Sequence, residues 1–62
     1  MIIDYDYNKL VQLSKTQELE EYLTWYSIKQ LNTAYDEAYS KHNLRIAVSV
    51  QEEIRRKGDL HD

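Results

Sequence analysis

Apolar residues recur with a helical period along most of this chain, and the pattern predicts three helices. A short helix is expected over about residues 7–13, a long one over 15–41 and a third over 44–57, followed by a frayed tail at 58–62. We therefore predict a single small all-α domain. Its long and third helices form a hairpin, and the short N-terminal helix packs on the end of that hairpin.

Polar residues at the segment ends predict where the helices begin and end. Asp6 (or Asp4) can cap the first helix, and Asn43 can cap the third. Ser14-Lys15-Thr16-Gln17 matches the S-x-x-Q capping box, which places the start of the long helix there. Gly58, the one glycine, is expected to end the third helix.

The long predicted helix has no internal Gly or Pro. Its length of about 27 residues corresponds to roughly 40 Å at 1.5 Å per residue. Asn32-Thr33 is the place where a kink is foreseen.

This long helix carries apolar residues on two faces. One arc contains Leu19, Leu23, Leu31, Ala34 and Ala38. A second arc, centred about 140° away at 100° per residue, contains Trp25, Ile28, Tyr35 and Tyr39. The first arc is enough to pack against the other two helices, so the second predicts a partner. Trp and Tyr are favoured interface residues. The predicted partner-binding residues are Tyr22, Trp25, Ile28, Tyr35, Tyr39, Glu21 and Asp36.

Two segments also fit strands. Residues 2–7 alternate between apolar and acidic side chains and are interpreted as an extended lead-in, with an edge strand that pairs across a dimer or onto a target as the alternative. Residues 45–50 nearly alternate as well. We prefer a helix there because good helix formers continue to Lys57.

Size and composition favour association. The 62 residues are 42% apolar and 31% charged, a globular balance. A domain of this size buries only about 60% of its unfolded surface, and with no cysteine it has neither a disulfide nor a thiolate metal site. We therefore expect homodimerisation to complete the bundle and to supply the stability that a chain of this size lacks on its own. No membrane span or signal peptide is recognised, so we predict a cytoplasmic protein.

No motif predicts an enzyme, a cofactor, a metal site or a small-molecule substrate. His61 stands next to Asp62 in the predicted tail and far from His42 in sequence, which argues against zinc. The four candidate phosphate contacts are Arg45, Arg55, Arg56 and Lys57. They support an alternative in which a dimeric bundle is a nucleic-acid-associated accessory. Residues 1–40 contain seven carboxylates and three lysines, which also permits a nucleic-acid mimic.

The stretch from Ala34 to Ala38, through Asn43 and Ala47 to Glu53-Ile54, has a helix–turn–helix rhythm. It resembles tetratricopeptide-like hairpins and helical segments of phage packaging proteins. The resemblance covers about a third of the chain, implies paired helices and carries no function. The small size and the Tyr, Asn, Lys and Ile usage resemble accessory proteins of phages or mobile elements.

The leading hypothesis is therefore a small non-enzymatic interaction module. It would regulate or inhibit another protein through the aromatic and acidic face of the long helix. Whether that face closes on a second copy or on a different protein is left open by the sequence.

Overall fold

The computed structural model describes residues 3–59, and helices are the only regular secondary structure within that range. The four helices are α1 (Tyr7–Leu13), α2 (Glu18–Leu23), α3 (Ile28–Ser40) and α4 (Leu44–Asp59). Helices α3 and α4 pack closely as a hairpin, α2 packs on α4, and α1 contacts α2. The predictions of an all-α fold and a helical hairpin are confirmed.

An extended segment precedes α1 and contacts α3 at two points. The Gln30 Nε2 donates to the Ile3 carbonyl (2.5 Å), and the Tyr5 hydroxyl donates to a Glu37 carboxylate oxygen (2.5 Å). Asp6 then caps α1, because its carboxylate accepts the backbone N–H groups of Asn8 (3.1 Å) and Lys9 (3.4 Å). The interpretation of this segment as an extended lead-in with an Asp6 cap is confirmed for residues 3–6.

The prediction of one long helix over 15–41 is wrong, because the chain turns between Leu23 and Ile28. Ser27 is the N-cap of α3. Its hydroxyl accepts the Gln30 N–H (3.2 Å), while the Gln30 side chain accepts the Ser27 N–H (3.0 Å). This reciprocal pair is a capping box. It supplies partners for backbone donors that a continuous helix would have used internally.

The capping box predicted at Ser14 is also wrong. Ser14 is the C-cap of α1, with helical torsion angles, and its hydroxyl donates to the Val11 carbonyl (2.7 Å). The following turn is closed by Thr16, whose hydroxyl accepts the N–H of Glu18, the first residue of α2. The foreseen kink at Asn32-Thr33 is absent, since α3 runs through both residues.

The hairpin turn follows the predicted chemistry. His42 has a φ of 58°, and the Asn43 side chain accepts the Ile46 N–H (3.3 Å). The Asn43 cap is therefore confirmed, and Arg45–Val50 is helical. The stop at Gly58 is wrong, because α4 continues through it to Asp59. The rest of the predicted tail, residues 60–62, lies outside the described residues.

One hydrophobic core joins all four helices. Its fully buried side chains come from the predicted apolar arc and from its neighbours: Leu10, Leu19, Leu23, Tyr26, Leu31, Ala34, Ala38, Ile46, Ala47 and Val50. Alanines on both hairpin helices are buried at Ala34, Ala38 and Ala47. Such small side chains permit close approach of α3 and α4. Helices α1 and α2 contribute Leu10, Leu19 and Leu23 to this core and so cover the α3–α4 hairpin.

Candidate protein-interaction surfaces

Four large apolar side chains remain outside this core. Trp25 is 55% exposed, Tyr39 65%, Leu44 68% and Val48 52%. They do not form one face. Trp25 lies in the turn between α2 and α3, whereas Tyr39, Leu44 and Val48 lie near the turn of the α3–α4 hairpin. The structure therefore presents two candidate surfaces, which we call the Trp25 cleft and the hairpin patch.

The Trp25 cleft lies between α1 and α2 and has a volume of about 300 Å³. Its apolar lining is Leu13, Tyr22 and Trp25, and its charged lining is Lys9, Glu18 and Glu21. The backbone fixes Trp25 through its N–H, which donates to the Tyr22 carbonyl (3.1 Å). The Tyr22 ring packs edge-on against Tyr26, with 5.4 Å between ring centroids. The cleft is therefore built on buried aromatic packing.

A second cleft, of about 450 Å³, lies on the other side of Trp25. Its lining comes from the N-terminal segment, the α2–α3 turn and the end of α4: Ile3, Thr24, Trp25, Tyr26, Ser27, Gln30 and Lys57. Tyr26, one of these lining residues, accepts the Asp6 N–H through its hydroxyl (3.2 Å), and burial raises the pKa of Tyr26 to about 12. Trp25 is thus a wall shared by two depressions.

The hairpin patch consists of Tyr39, Leu44 and Val48. The Tyr39 ring lies 6.0 Å from the half-buried Tyr35 ring, centroid to centroid. Leu44 and Val48 are four residues apart and so share one face of α4. At 100° per residue, this face is roughly 160° away from that of Ile46 and Val50, which are fully buried. Leu44 and Val48 therefore face away from the core, and Tyr39 is exposed at the other side of the hairpin turn.

The structure separates the residues of the predicted partner-binding face. Glu21, Tyr22 and Trp25 come together in the Trp25 cleft. Ile28, Tyr35, Asp36 and Tyr39 all lie on α3. Ile28 and Tyr35 are half-buried against the core, while Asp36 and Tyr39 are exposed. The role of these residues in binding remains a prediction.

The sequence interpretation missed several residues of both surfaces: Lys9 and Leu13 in the cleft, and Leu44 and Val48 in the patch. A signal for the patch was present. Leu44 and Val48 have the i,i+4 spacing of one helix face and lie away from the other apolar residues of α4. The cleft had no such signal, because it depends on how α1 and α2 cross.

A polar cluster beside the core connects α2 to α4. Arg45 pairs with Glu20 at 2.8 Å and donates to the Ser49 hydroxyl and to the Thr16 carbonyl (3.3 Å). Ser49, which is buried, donates to Glu20 in turn (2.9 Å). The Arg45 hydrogen bond is the main cause that lowers the pKa of Glu20. Arg45 therefore has an internal partner set that holds α2 in place.

Glu53 is buried, with 4% of its surface exposed, and it pairs with two cations of its own helix. Arg56 lies 3.1 Å and Lys57 3.9 Å from its carboxylate. Lys57 also donates to the Thr24 carbonyl at the end of α2 (3.0 Å). Together with Arg45, these pairs engage three of the four candidate phosphate contacts. The remaining one, Arg55, is exposed.

The N-terminal segment has its own electrostatic contact with α3. Glu37 accepts from the Tyr5 hydroxyl and pairs with Lys41 at 3.0 Å. The Tyr5 hydrogen bond, followed by that of Lys41, lowers the pKa of Glu37. Burial and the Glu37 carboxylate raise the pKa of Tyr5. Lys41 also lies 4.6 Å from the centroid of the Tyr7 ring, within cation–π range.

Among residues 3–59, no three His, Asp or Glu side chains gather as metal ligands. No helix of that region is long and apolar enough to cross a membrane. His61 lies outside the described residues. No family model, curated protein or solved structure matches this chain. A functional argument therefore starts from the two surfaces themselves.

Proposed function

We propose that this chain is a small non-enzymatic, cytoplasmic protein–protein interaction module. It would regulate or inhibit another protein, in the manner of a phage or mobile-element accessory, and it would be able to pair with a second copy of itself. The observation that carries the proposal is the exposure of Trp25, Tyr39, Leu44 and Val48 on a domain whose core is already closed.

These side chains represent a large exposed apolar surface for 62 residues. Aromatic side chains bury 150–250 Å² each on average when they enter an interface. Contiguous exposed apolar patches larger than a few hundred Å² mark interaction sites, whereas single exposed apolar side chains are common on monomers. Trp25 lines two surface depressions, so a partner side chain could contact the indole and the neighbouring residues at the same time.

Nucleic-acid binding has weaker support in the structure. Arg45, Arg56 and Lys57 are paired with carboxylates of the same chain. A phosphate would have to displace Glu20 or Glu53 to engage them fully. Since counterion release makes phosphate binding strongly salt-dependent, any nucleic-acid binding would be recognised by a steep loss of affinity between low and moderate salt.

Light scattering over a concentration series, with Trp25 fluorescence on the same samples, tests the proposal. We expect concentration-dependent mass, capture of a specific partner protein, or both. The variants are Trp25→Ala and Tyr39→Ala, separately and combined. Asn32→Ala, at an exposed polar position of α3, is the matched control. If the combined variant keeps its fold, its mass and its partner binding, both surfaces are irrelevant to association and the proposal is wrong.

A further inference from the structure

We propose that the Trp25 cleft binds a segment of another protein that presents an Arg or Lys side chain next to an apolar one. This inference rests on the proposed function and specifies the chemistry of the partner. Three observations support it: the floor of the cleft is apolar, its rim is acidic, and a second copy of the chain would present the same acidic rim.

The floor of the cleft is aromatic and aliphatic. Leu13 and Tyr22 are half-buried, and the Trp25 indole is more than half exposed above them. A volume of about 300 Å³ is sufficient for one or two side chains and is at the lower limit of ligand pockets. An exposed indole face also attracts cations, and Trp is the best cation–π partner among the aromatic residues.

The rim of the cleft is acidic. Glu18 and Glu21 are three residues apart on α2, so they lie on neighbouring positions of one helix face. Both are exposed, and neither forms an ion pair with another described side chain. Glu20 differs from them because Arg45 neutralises it. Lys9 is the one cation that lines the cleft.

The charge of the surrounding region has the same sign. Residues 3–27 contain five carboxylates and two lysines, and Arg45 neutralises one of the five, Glu20, which leaves an acidic excess. A cation approaching this half of the molecule therefore meets a favourable field in addition to the two rim carboxylates. A phosphate group would meet an unfavourable one. The partner that best complements the cleft is accordingly cationic and apolar at once.

A second copy of the chain does not have this complementarity. A two-fold dimer places the same patch of both subunits face to face. Across the Trp25 cleft, that symmetry would bring together two copies of a lining that has two carboxylates, Glu18 and Glu21, and one lysine, Lys9, so both facing surfaces have an acidic excess. Like charges at an interface are destabilising. Self-association, where it occurs, is better accommodated by the hairpin patch.

A randomised twelve-residue peptide library, selected on the immobilised protein, provides the test. We expect selected peptides to be enriched in Arg or Lys next to Leu, Met or an aromatic residue. Their binding should shift Trp25 fluorescence and weaken about tenfold or more in Trp25→Ala, because Trp is a frequent hot-spot anchor. It should weaken about fivefold in the Glu18→Gln, Glu21→Gln double variant and tighten in Lys9→Gln, as expected for exposed ion pairs.

Asn32→Ala is the control, because Asn32 is an exposed polar residue of α3 that lines neither cleft, so this change should leave peptide affinity unchanged. Circular dichroism verifies the fold of each variant. The glutamate variant keeps the test informative if Trp25→Ala loses structure, since both glutamates are exposed.

Two results would overturn the inference. Peptides that depend on Trp25 but show no basic enrichment and no response to Glu18→Gln, Glu21→Gln would contradict the predicted charge, while leaving the proposed interaction function in place. Selection of peptides that bind Trp25→Ala as well as the wild type would place binding outside the cleft. The proposed function itself fails only through the separate association measurements with Trp25→Ala and Tyr39→Ala combined.

Discussion

Replacing Ser27 by alanine tests the break between α2 and α3, because a broken and a continuous helix predict opposite signs. In the structure, Ser27 caps α3 and its hydroxyl accepts the Gln30 N–H (3.2 Å). In a continuous helix over 15–41, Ser27 would lie in the interior. Alanine would then stabilise the protein by about 0.5 kcal/mol, since it has the higher helix propensity.

The expected loss follows from the cap. Substituting an N-cap serine by alanine typically costs about 1 kcal/mol, within a range of roughly 0.5–2. Ser27 is exposed, so no cavity forms and the change should stay near the middle of that range. The Gln30 side chain can still accept the residue 27 N–H. We expect Ser27→Ala to lower the free energy of unfolding by about 1 kcal/mol and Tm by roughly 4–8 °C for a domain of this size.

Ser14→Ala is the matched control. Ser14 ends α1 with φ −64° and ψ −15°, a conformation that alanine adopts without strain, and its hydroxyl donates only to the Val11 carbonyl. Its loss should change the free energy of unfolding by less than about 0.5 kcal/mol. If the long helix began at Ser14, this substitution would instead remove the N-cap and cost about 1 kcal/mol. The two structures therefore predict opposite orders for the pair of variants.

Urea denaturation measures both free energies, with helicity followed by circular dichroism at 222 nm and Trp25 fluorescence recorded in parallel. Coincident transitions verify two-state unfolding. A wild-type m-value in each variant shows that the change is one of stability. The reasoning is refuted if Ser27→Ala is as stable as the wild type or more stable while Ser14→Ala is about 1 kcal/mol less stable.

Four further substitutions test other parts of the fold. Gly58→Ala should raise the free energy of unfolding by up to about 1 kcal/mol, because Gly58 is helical and an added methyl meets no neighbouring group within 4 Å. A lower free energy of unfolding in urea denaturation would instead indicate that Gly58 ends the helix in a left-handed conformation. Ala38→Leu should cost about 1–3 kcal/mol by overpacking between α3 and α4, whereas Val48→Ala, at an exposed site, should change little in the same assay. Tyr5→Phe should destabilise the protein near neutral pH and lose most of that effect under acid. Hydrogen bonding holds the pKa of Glu37 below 4.5 in the folded state, so its contribution is present above that value and disappears as pH falls through the folded pKa. Parallel melts over a pH series from 7 down to 2 check this, and an equal difference across the whole series would contradict it.

Local chemistry was sufficient to predict several elements. Asp6 and Asn43 both cap helices as their side chains suggest. The apolar arc predicted for residues 19–38 is fully buried. The caps depend on neighbours within about one helical turn. The apolar arc depends on a helical spacing of apolar residues that continues on both sides of the α2–α3 turn. They do not require knowledge of how helices are arranged in space.

The break at Thr24–Ser27 was not predictable in the same way. The sequence contains two S-x-x-Q boxes, at 14–17 and 27–30, and neither Gly nor Pro marks the turn between α2 and α3. Tertiary packing distinguishes them. An unbroken helix of about 27 residues would extend roughly 40 Å, whereas the longest dimension of the folded chain is 31 Å. Folding back lets Leu19, Leu23 and Leu31 contribute to one core.

The break also explains why the predicted site was divided. In a continuous helix, Trp25 and Tyr39 are fourteen residues apart and would differ by only about 40°. The turn removes this shared periodicity, so the tryptophan joins a cleft with α1 while the tyrosine stays on the hairpin. Of the predicted second arc, Trp25 and Tyr39 remain exposed, whereas Ile28 and Tyr35 pack partly against the core. Where these exposed residues lie could not be predicted without knowing how α1 and α2 pack.

The ion pairs connect the choice of partner to the stability of the fold. Arg45 holds α2 against α4 through Glu20 and Ser49. A phosphate that captured the guanidinium would leave the Glu20 carboxylate without its main partner and would loosen α2. The free energy of that rearrangement would be subtracted from the binding energy. Glu18 and Glu21 require no such rearrangement, because both are exposed at the cleft. The cationic segment proposed for the Trp25 cleft would therefore bind without first weakening the helix contacts made by Arg45.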